Sequence, residues 1–276
     1  MKIGNAMALY FSATGNTEYA VKRFARNLGV YFGNVLSIEA KVEKIEHIVF
    51  SADTLIIAYP NFLCAIPKIM GDYIAKYARW FEGKNIITLV TYAKFSLDAD
   101  LLVLRLLKKK RISFRECSGL SVQFPINVCD IELIKQLPDD ETAGLREKAD
   151  RRLDEAAKII LQGQNIHDGK EWQRPVAFLR QRMFYLNRIK YYYKKVKINE
   201  NCVRCGLCIS RCPMKNFEMR GKKVHQKGKC TQCYRCANLC PQNAITIWGH
   251  KVQWQYRGPE KFGGSENGRV FRNCRF

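Results

Sequence analysis

The chain has 276 residues, 47% of them hydrophobic and 26% charged, with a formal net charge of +22. This composition is typical of a folded globular protein and excludes collagen, low-complexity and disordered chains. No apolar run approaches the ~20 residues that span a bilayer, and the start lacks the regions of a signal peptide. We therefore expect a soluble, cytoplasmic protein. Twelve cysteines in such a chain indicate metal binding rather than a disulfide framework.

Short apolar runs alternate with stretches of helical spacing through the first half of the chain. The predicted strands are residues 6–11, 29–38, 54–59, 85–92 and 120–124. The predicted helices include residues 18–28, 101–107 and 139–161, the last of them capped by Gly163. Strand and helix in alternation predict an α/β fold, a doubly wound parallel sheet with helices on both faces.

The turn after the first predicted strand is polar and opens a helix. Its polar residues are Ser12, Thr14, Gly15, Asn16 and Thr17. Backbone N–H groups at the positive end of a helix dipole suit a phosphate. The turn contains no Lys or Arg and no G-x-G-x-x-G pattern, which separates it from the common nucleotide-binding loops. The alternative is an ordinary polar turn in which Thr14 or Asn16 caps the helix.

These residues resemble the phosphate-binding loop of flavodoxins, Ser/Thr-x-Ser/Thr-Gly-Asn-Thr. The resemblance implies a flavodoxin-like domain over residues 1–163 that binds FMN, with the phosphate held by the turn and the ring by the loops after the third and fourth strands of the sheet. The residues of those two loops are Pro60, Asn61, Phe62, Tyr92, Ala93, Lys94 and Phe95. The aromatic rings of Phe62 and Tyr92 are expected either to stack on the flavin ring or to belong to the protein core. Ala93 and Lys94 depart from the family, which often has glycine there.

Two further features accompany this predicted site. Residues 124–127 follow the last strand and are expected to close the pocket. Cys64 lies in one of the ring loops, and we interpret it as an ordinary buried thiol.

Eight of the twelve cysteines form a duplicated motif. The pattern C-x2-C-x2-C-x3-C-P occurs twice, and each member of the second copy is displaced by 28 residues from the first. Three thiolates spaced in this way cap three irons of a cubane, whereas the fourth cysteine ligates the other cluster. The predicted ligands are Cys202, Cys205, Cys208 and Cys240 for one cluster, and Cys230, Cys233, Cys236 and Cys212 for the other. Structural zinc is the alternative, but it normally takes two separated cysteine pairs.

Residues 198–248 resemble two-cluster bacterial ferredoxins, and the whole chain resembles the flavodoxin–ferredoxin fusions called EFR1-type ferredoxins. The resemblance implies a flavodoxin-like domain (1–163), a linker (164–197), a ferredoxin-like α+β domain with two [4Fe-4S] clusters (198–248) and a tail (249–276). It implies transfer of single electrons between FMN, the clusters and a redox partner, in an anaerobic cytoplasm. The alternatives are an FMN-dependent reductase of a small molecule or quinone, and a basic binding protein with structural metal sites. We predict no separate catalytic residues.

Positive charge is concentrated in the second half of the chain. Residues 1–169 carry 23 basic and 20 acidic side chains, whereas residues 170–197 carry nine and one. We interpret this basic, aromatic segment as a linker helix, with membrane-surface or nucleic-acid binding as the alternative. No nucleic-acid recognition motif is present. The positive field favours a negatively charged partner, so the predicted partner is an acidic redox protein.

Overall fold

The computed structural model describes residues 1–179, 183, 191 and 193–259. The chain divides into two compact units. The first comprises Met1–Pro125 and Gly144–Tyr185, and the second comprises Ile126–Ala143 and Leu186–Phe276. Within the described residues, no helix is both long enough and apolar enough to cross a membrane.

The first unit is built on a five-stranded, fully parallel sheet. Its strands are β1 (Ala6–Tyr10), β2 (Val35–Ser37), β3 (Thr54–Pro60), β4 (Asn85–Tyr92) and β5 (Cys117–Gln123). They are arranged in the order β2-β1-β3-β4-β5. This is the flavodoxin-like order of a doubly wound sheet, in which the carboxyl ends of β1 and β3 flank the point where the winding reverses. The predicted fold class is confirmed.

Six helices of the described residues belong to this part of the chain. They are α1 (Asn16–Asn27), α2 (Val42–Ser51), α3 (Lys68–Lys76), α4 (Leu102–Lys109), α5 (Asp139–Leu161) and α6 (Gln173–Ala177). Helices α1 and α5 lie side by side, since Arg23 Nη2 and Asp154 Oδ2 are 2.8 Å apart and the Tyr19 hydroxyl donates to Asp150 at 2.9 Å. Helices α3 and α4 also contact each other.

The core of the first unit lies on both faces of the sheet. Every residue of β1 is buried, as are the first six residues of β3. Alternate residues of a strand point to opposite faces, so Ala8 and Tyr10 pack towards α1 and α5 while Met7 and Leu9 point to the other face. Continuous apolar strands are what a parallel sheet covered on both faces requires.

The second strand is shorter than the sequence predicts. Residues 29–38 were expected to form it, but β2 has three residues. Gly29 adopts a left-handed conformation (φ 74°) just after α1, and a single 3-10 turn occupies Phe32–Asn34. The aromatic side chains of Tyr31 and Phe32 are exposed, so the apolar residues that favoured a strand do not enter the sheet.

An extended segment, residues 165–169, lies along β5. The Gly119 N–H donates to the Ile166 carbonyl at 2.6 Å, and the Asp168 N–H donates to the Gly119 carbonyl at 3.1 Å. The Asp168 carboxylate in turn accepts the Ser121 N–H at 2.8 Å. These bonds satisfy backbone groups that β5 would otherwise leave open at the edge of the sheet.

The second unit is a small α+β structure, as predicted. Its elements are β6 (Val196–Ile198), α7 (Leu207–Ser210), β7 (Phe217–Arg220), β8 (Lys223–Gln226), α8 (Arg235–Leu239) and β9 (Ile245–Ile247). Strand β6 pairs with β9, and β7 pairs with β8, both antiparallel. The segment from residue 126 contributes to this unit, because the Asn127 carbonyl accepts the Asn238 side-chain amide at 2.9 Å and the Cys129 carbonyl accepts the Gln253 N–H at 2.8 Å.

The predicted linker helix falls largely outside the described residues. Residues 180–182, 184–190 and 192 are not described, so the interpretation of residues 164–197 as a basic linker helix stays a prediction. Within that range, the structure describes the short helix α6 and the first strand of the second unit.

Candidate functional site

The polar turn between β1 and α1 has a fixed backbone. Gly15 occupies the N-cap position of α1 with φ 103°, a left-handed conformation that glycine adopts without steric cost. Helix α1 has twelve residues, so the aligned N–H groups of its first turn face this loop. The N-cap residue is therefore Gly15, and the expected alternative of a cap by the side chain of Thr14 or Asn16 stays a prediction.

Side chains of the turn tie it to neighbouring strands. Ser12 Oγ accepts the Gly15 N–H at 3.2 Å, within the turn itself. The Asn16 side-chain amide donates to the Pro125 carbonyl at 3.1 Å, just after β5. Thr17 Oγ1 and Thr91 Oγ1, both buried, are 2.7 Å apart. These bonds tie the turn to β4, through Thr91, and to the chain just after β5, through Pro125. Pro125 belongs to residues 124–127, the segment expected to close the pocket.

The loop after β3 has a tight reverse turn. Phe62 and Ala65 exchange two backbone hydrogen bonds, each of 3.1 Å. The two residues between them, Leu63 and Cys64, have φ of 50° and 55°. Left-handed backbone at two consecutive non-glycine residues is costly and occurs where the surroundings enforce it. The Cys64 side chain is fully buried, in agreement with its interpretation as a core thiol.

The loops after β3 and β4 are joined by Asn61. Its backbone N–H donates to the Thr91 carbonyl at 2.7 Å, and its side-chain amide donates to the Phe95 carbonyl at 2.6 Å. Its side-chain oxygen Oδ1 is buried and has no hydrogen-bond partner among the described residues. A buried, unpaired acceptor is costly unless a ligand supplies the donor.

The predicted ring contacts differ in exposure. Tyr92 is half-buried, and burial raises the pKa of its phenol. Lys94 and Phe95 are exposed, and Ala93 accepts a 2.8 Å hydrogen bond from the Gln123 side chain through its carbonyl. Pro60, like Phe62, is half-buried. The structure therefore brings the polar turn and both ring loops to the carboxyl edge of the sheet, where a doubly wound fold binds its ligand.

The duplication seen in the cysteines extends to the backbone of the second unit. Left-handed residues recur at the same displacement of 28 positions. The pairs are Arg204 and Gln232 (φ 60° and 58°), Gly206 and Tyr234 (75° and 61°), and Lys215 and Asn243 (48° and 47°). The two copies of the motif therefore share one local conformation.

Four cysteines line one pocket, and we call them the first cysteine group. They are Cys202, Cys205, Cys208 and Cys240. Burial, together with the neighbouring thiols of the other three, raises the pKa of Cys208 to about 11. Cys240 comes from the second copy, and its extended backbone (φ −68°, ψ 117°) ends helix α8 just before Pro241.

The second cysteine group consists of Cys230, Cys233, Cys236 and Cys212. Burial raises the pKa of Cys230 to about 12, and the thiols of Cys233 and Cys212 add to the rise. Burial also raises the pKa of Cys236 well above its usual value, with contributions from Cys233, Cys230 and Cys212 and from Cys208 of the first group. Cys240 thus lies near cysteines of the first copy, and Cys212 near cysteines of the second. Within the described residues, no three of these side chains are arranged to hold a single metal ion.

Backbone N–H groups donate to several of these sulfurs. The Asn216 N–H lies 3.3 Å from Cys212 Sγ, and the Ala244 N–H lies 3.2 Å from Cys240 Sγ. These two bonds are again related by 28 residues. A third N–H, that of Gln232, lies 3.3 Å from Cys230 Sγ. Sequence reasoning missed all three donors, although the position of Asn216 and Ala244, four residues after the last cysteine of each motif, is a repeated feature.

Residues 201–244 match the family model described as "4Fe-4S dicluster domain". No curated protein sequence matches the chain.

Similar solved structures include a flavodoxin, WrbA-like protein from Agrobacterium tumefaciens (13% identity, TM-score 0.37, covering 58% of this chain and 98% of that one). They also include Megasphaera elsdenii flavodoxin (13% identity, TM-score 0.35, covering 55% of this chain and 98% of that one). A third is general stress protein 14 in complex with FMN from Treponema denticola (13% identity, TM-score 0.37, covering 58% of this chain and 98% of that one). The fold of this chain itself is assigned from its strand order.

Proposed function

We propose that this chain is an electron-transfer protein that holds FMN on its first unit and a [4Fe-4S] cluster at each cysteine group of its second unit. In this proposal it passes single electrons between these centres and on to a redox partner, as a flavodoxin–ferredoxin fusion of the EFR1 type. The observation that carries the proposal is the duplicated cysteine motif of the second unit, in which Cys240 of the second copy lines one pocket with three cysteines of the first. Zinc sites have no need of that arrangement.

The first unit supports the flavin half of the proposal. The N–H groups at the start of α1 and the left-handed Gly15 leave room and donors for a phosphate. The unpaired Asn61 Oδ1 offers an acceptor to an N–H of the isoalloxazine ring, and the half-buried ring of Tyr92 offers a face for stacking. Bound FMN would supply the capacity to hold two electrons, which single clusters lack.

The second unit supports the cluster half. Ligation requires deprotonated thiols, so cluster binding at the two cysteine groups would displace protons. The N–H groups of Asn216 and Ala244 then orient the sulfurs of Cys212 and Cys240 and offset their negative charge.

Anaerobic reconstitution of the full chain tests the proposal. We expect about eight iron and about eight acid-labile sulfide per chain, with one releasable FMN and separate flavin and cluster absorption bands. The variant Cys117→Ser, which changes a cysteine outside both groups, should give the same contents. Two zinc ions per chain without sulfide would contradict the cluster assignment, and clusters without any flavin uptake would contradict the FMN assignment.

A further inference from the structure

The internal duplication allows the two cysteine groups to be compared position by position. Gly206 and Tyr234 are equivalent residues between the second and third cysteines of each copy, and both have left-handed backbone. A Cβ added to Gly206 would meet no atom within 4 Å. At the equivalent place in the second copy, Tyr234 is partly buried and packs against the apolar core of the unit. The position is thus open in the first copy, whereas in the second it carries an aromatic side chain that packs on the core.

The residues around the two groups show the same asymmetry. Val203 is 41% exposed and Arg204 is also exposed, and both line the pocket of the first cysteine group. In the second copy, Thr231 is buried, and Cys233 is only 9% exposed. The first group therefore has an exposed valine and an exposed cation beside it, whereas the second group has a buried threonine and a buried cysteine at and near the equivalent positions.

The surrounding charge selects the partner. Residues 193–259 contain 14 Lys and Arg side chains and two acidic ones. Of the two acids, Glu218 is paired with Arg220 at 2.5 Å and with Lys227 at 3.8 Å. A strongly positive field accelerates encounters with negatively charged molecules. Electron-transfer complexes are small and short-lived, so one apolar contact within a charged rim suffices for docking.

We propose that the open face of the first cysteine group, formed by Val203, Arg204 and Gly206, is the docking surface for an acidic electron-transfer protein. The inference rests on the proposed function, because it requires a cluster at this group. The step moves one electron from the reduced cluster to the oxidised partner, and it makes or breaks no covalent bond. In this proposal the second group, which has Tyr234 at the position equivalent to Gly206, takes no part in that exchange.

The charge component is tested with a matched pair of variants. The probe is an acidic [2Fe-2S] ferredoxin of the plant type, mixed in its oxidised form with the reduced, reconstituted full chain in a stopped-flow instrument. Arg204→Glu should lower the second-order rate constant about tenfold at low salt, because it reverses a charge at the contact. Lys251→Glu, the same reversal at an exposed residue that does not line the pocket, should lower it by less than about twofold.

The shape component is tested with a second matched pair. Gly206→Tyr copies the second motif onto the first and should slow oxidation of the cluster both by the ferredoxin and by ferricyanide, about tenfold in each case. Gly206→Ala also removes glycine at this left-handed position but adds only a Cβ, so it should retain at least half of the rate.

Three outcomes would overturn the inference. Equal effects of Arg204→Glu and Lys251→Glu on the rate constant would mean that only the overall electrostatic field acts. An unchanged rate of cluster oxidation in Gly206→Tyr would mean that electrons leave the protein at another face. A loss of binding to phosphatidylserine vesicles or single-stranded DNA in Arg204→Glu, with unchanged ferredoxin exchange, would assign the face to another partner. Iron and sulfide contents are measured on each variant first, so absence of clusters, which contradicts the proposed function, is distinguished from failure of docking.

Discussion

Thr17 and Thr91 are 74 positions apart in the sequence, yet their hydroxyls form one buried hydrogen bond of 2.7 Å. The bond links the candidate phosphate loop to the end of β4, beside the loop that carries the candidate ring contacts. A buried hydroxyl that loses its partner costs more free energy than the bond itself contributes, since it is cut off from water as well. The position of this loop thus depends on a hydrogen bond between two residues that are far apart in the sequence.

A double-mutant cycle measures that coupling. We expect Thr17→Val and Thr91→Val each to lower the free energy of unfolding by about 1–3 kcal/mol, because each leaves one buried hydroxyl unpaired. The double variant should lose less than the sum, because it removes both polar groups together. Urea denaturation of the four proteins gives the coupling, and strictly additive losses would show that the two hydroxyls act independently.

Cys212 belongs by sequence to the first motif and by position to the second cysteine group. We expect Cys212→Ser to remove the cluster held by Cys230, Cys233 and Cys236, so that iron falls from about eight to about four per chain. The remaining cluster should keep its electron paramagnetic resonance signal on reduction. Loss of the cluster at Cys202 instead would contradict the crossed ligation, and Cys117→Ser serves again as the unaffected control.

At the scale of elements, residues 165–169 are attached to β5 around a buried carboxylate. Asp100 is fully buried, its Oδ2 accepts the Gly169 N–H at 3.2 Å, and its Oδ1 has no hydrogen-bond partner among the described residues. A Cβ at Gly119 or Gly169 would come within 2.4 or 2.1 Å of this carboxylate, so both glycines are needed for space. Burial, followed by the charge of Asp168 and Asp98, raises the pKa of Asp100 to about 6.

This carboxylate makes the stability of the first unit depend on pH. Because its pKa is higher in the folded than in the unfolded chain, the folded state holds the proton more tightly, and stability falls as pH rises from about 4 to about 6. Asp100→Asn should remove that loss, which is on the order of 3 kcal/mol. Urea denaturation should therefore show a larger advantage of the variant at pH 7.5 than at pH 5. The same difference at both values would show that Asp100 does not titrate in this range.

At the scale of the whole molecule, the net charge of +22 acts over longer distances than any single contact. Screening at ~0.15 M salt shortens that field to about 8 Å, so association with an acidic protein should weaken steeply as salt is added. A field of this kind raises the rate at which an acidic partner associates, whereas the docking face determines where on the protein surface the partner binds.

The basic segment of residues 170–197 tests the field separately from the docking face. We expect reversal of Arg180, Arg182, Lys194 and Lys195 to Glu to lower the rate of association with the acidic ferredoxin and to reduce its salt dependence, with unchanged cluster absorption. Stopped-flow rates at several salt concentrations make the measurement. An unchanged salt dependence would show that these four cations do not contribute to steering.

Local patterns in the sequence were sufficient to predict much of this protein. Apolar periodicity predicted four of the five sheet strands and helix α5, because burial on both faces of a parallel sheet leaves a continuous signal. The cysteine motif predicted the metal chemistry, because ligand spacing is set by the reach of a short loop. The second strand was predicted poorly, since exposed Tyr31 and Phe32 have the same apolar character as core residues.

Contacts between distant residues were decided by the tertiary structure alone. The pairing of Thr17 with Thr91, the bond from Asn16 to Pro125 and the attachment of residues 165–169 to β5 leave no local pattern, because each joins parts of the chain that meet only when the sheet has formed. The difference between the two cysteine groups is of the same kind. Gly206 and Tyr234 are visible in the sequence, but which side chains surround them depends on how the whole unit packs.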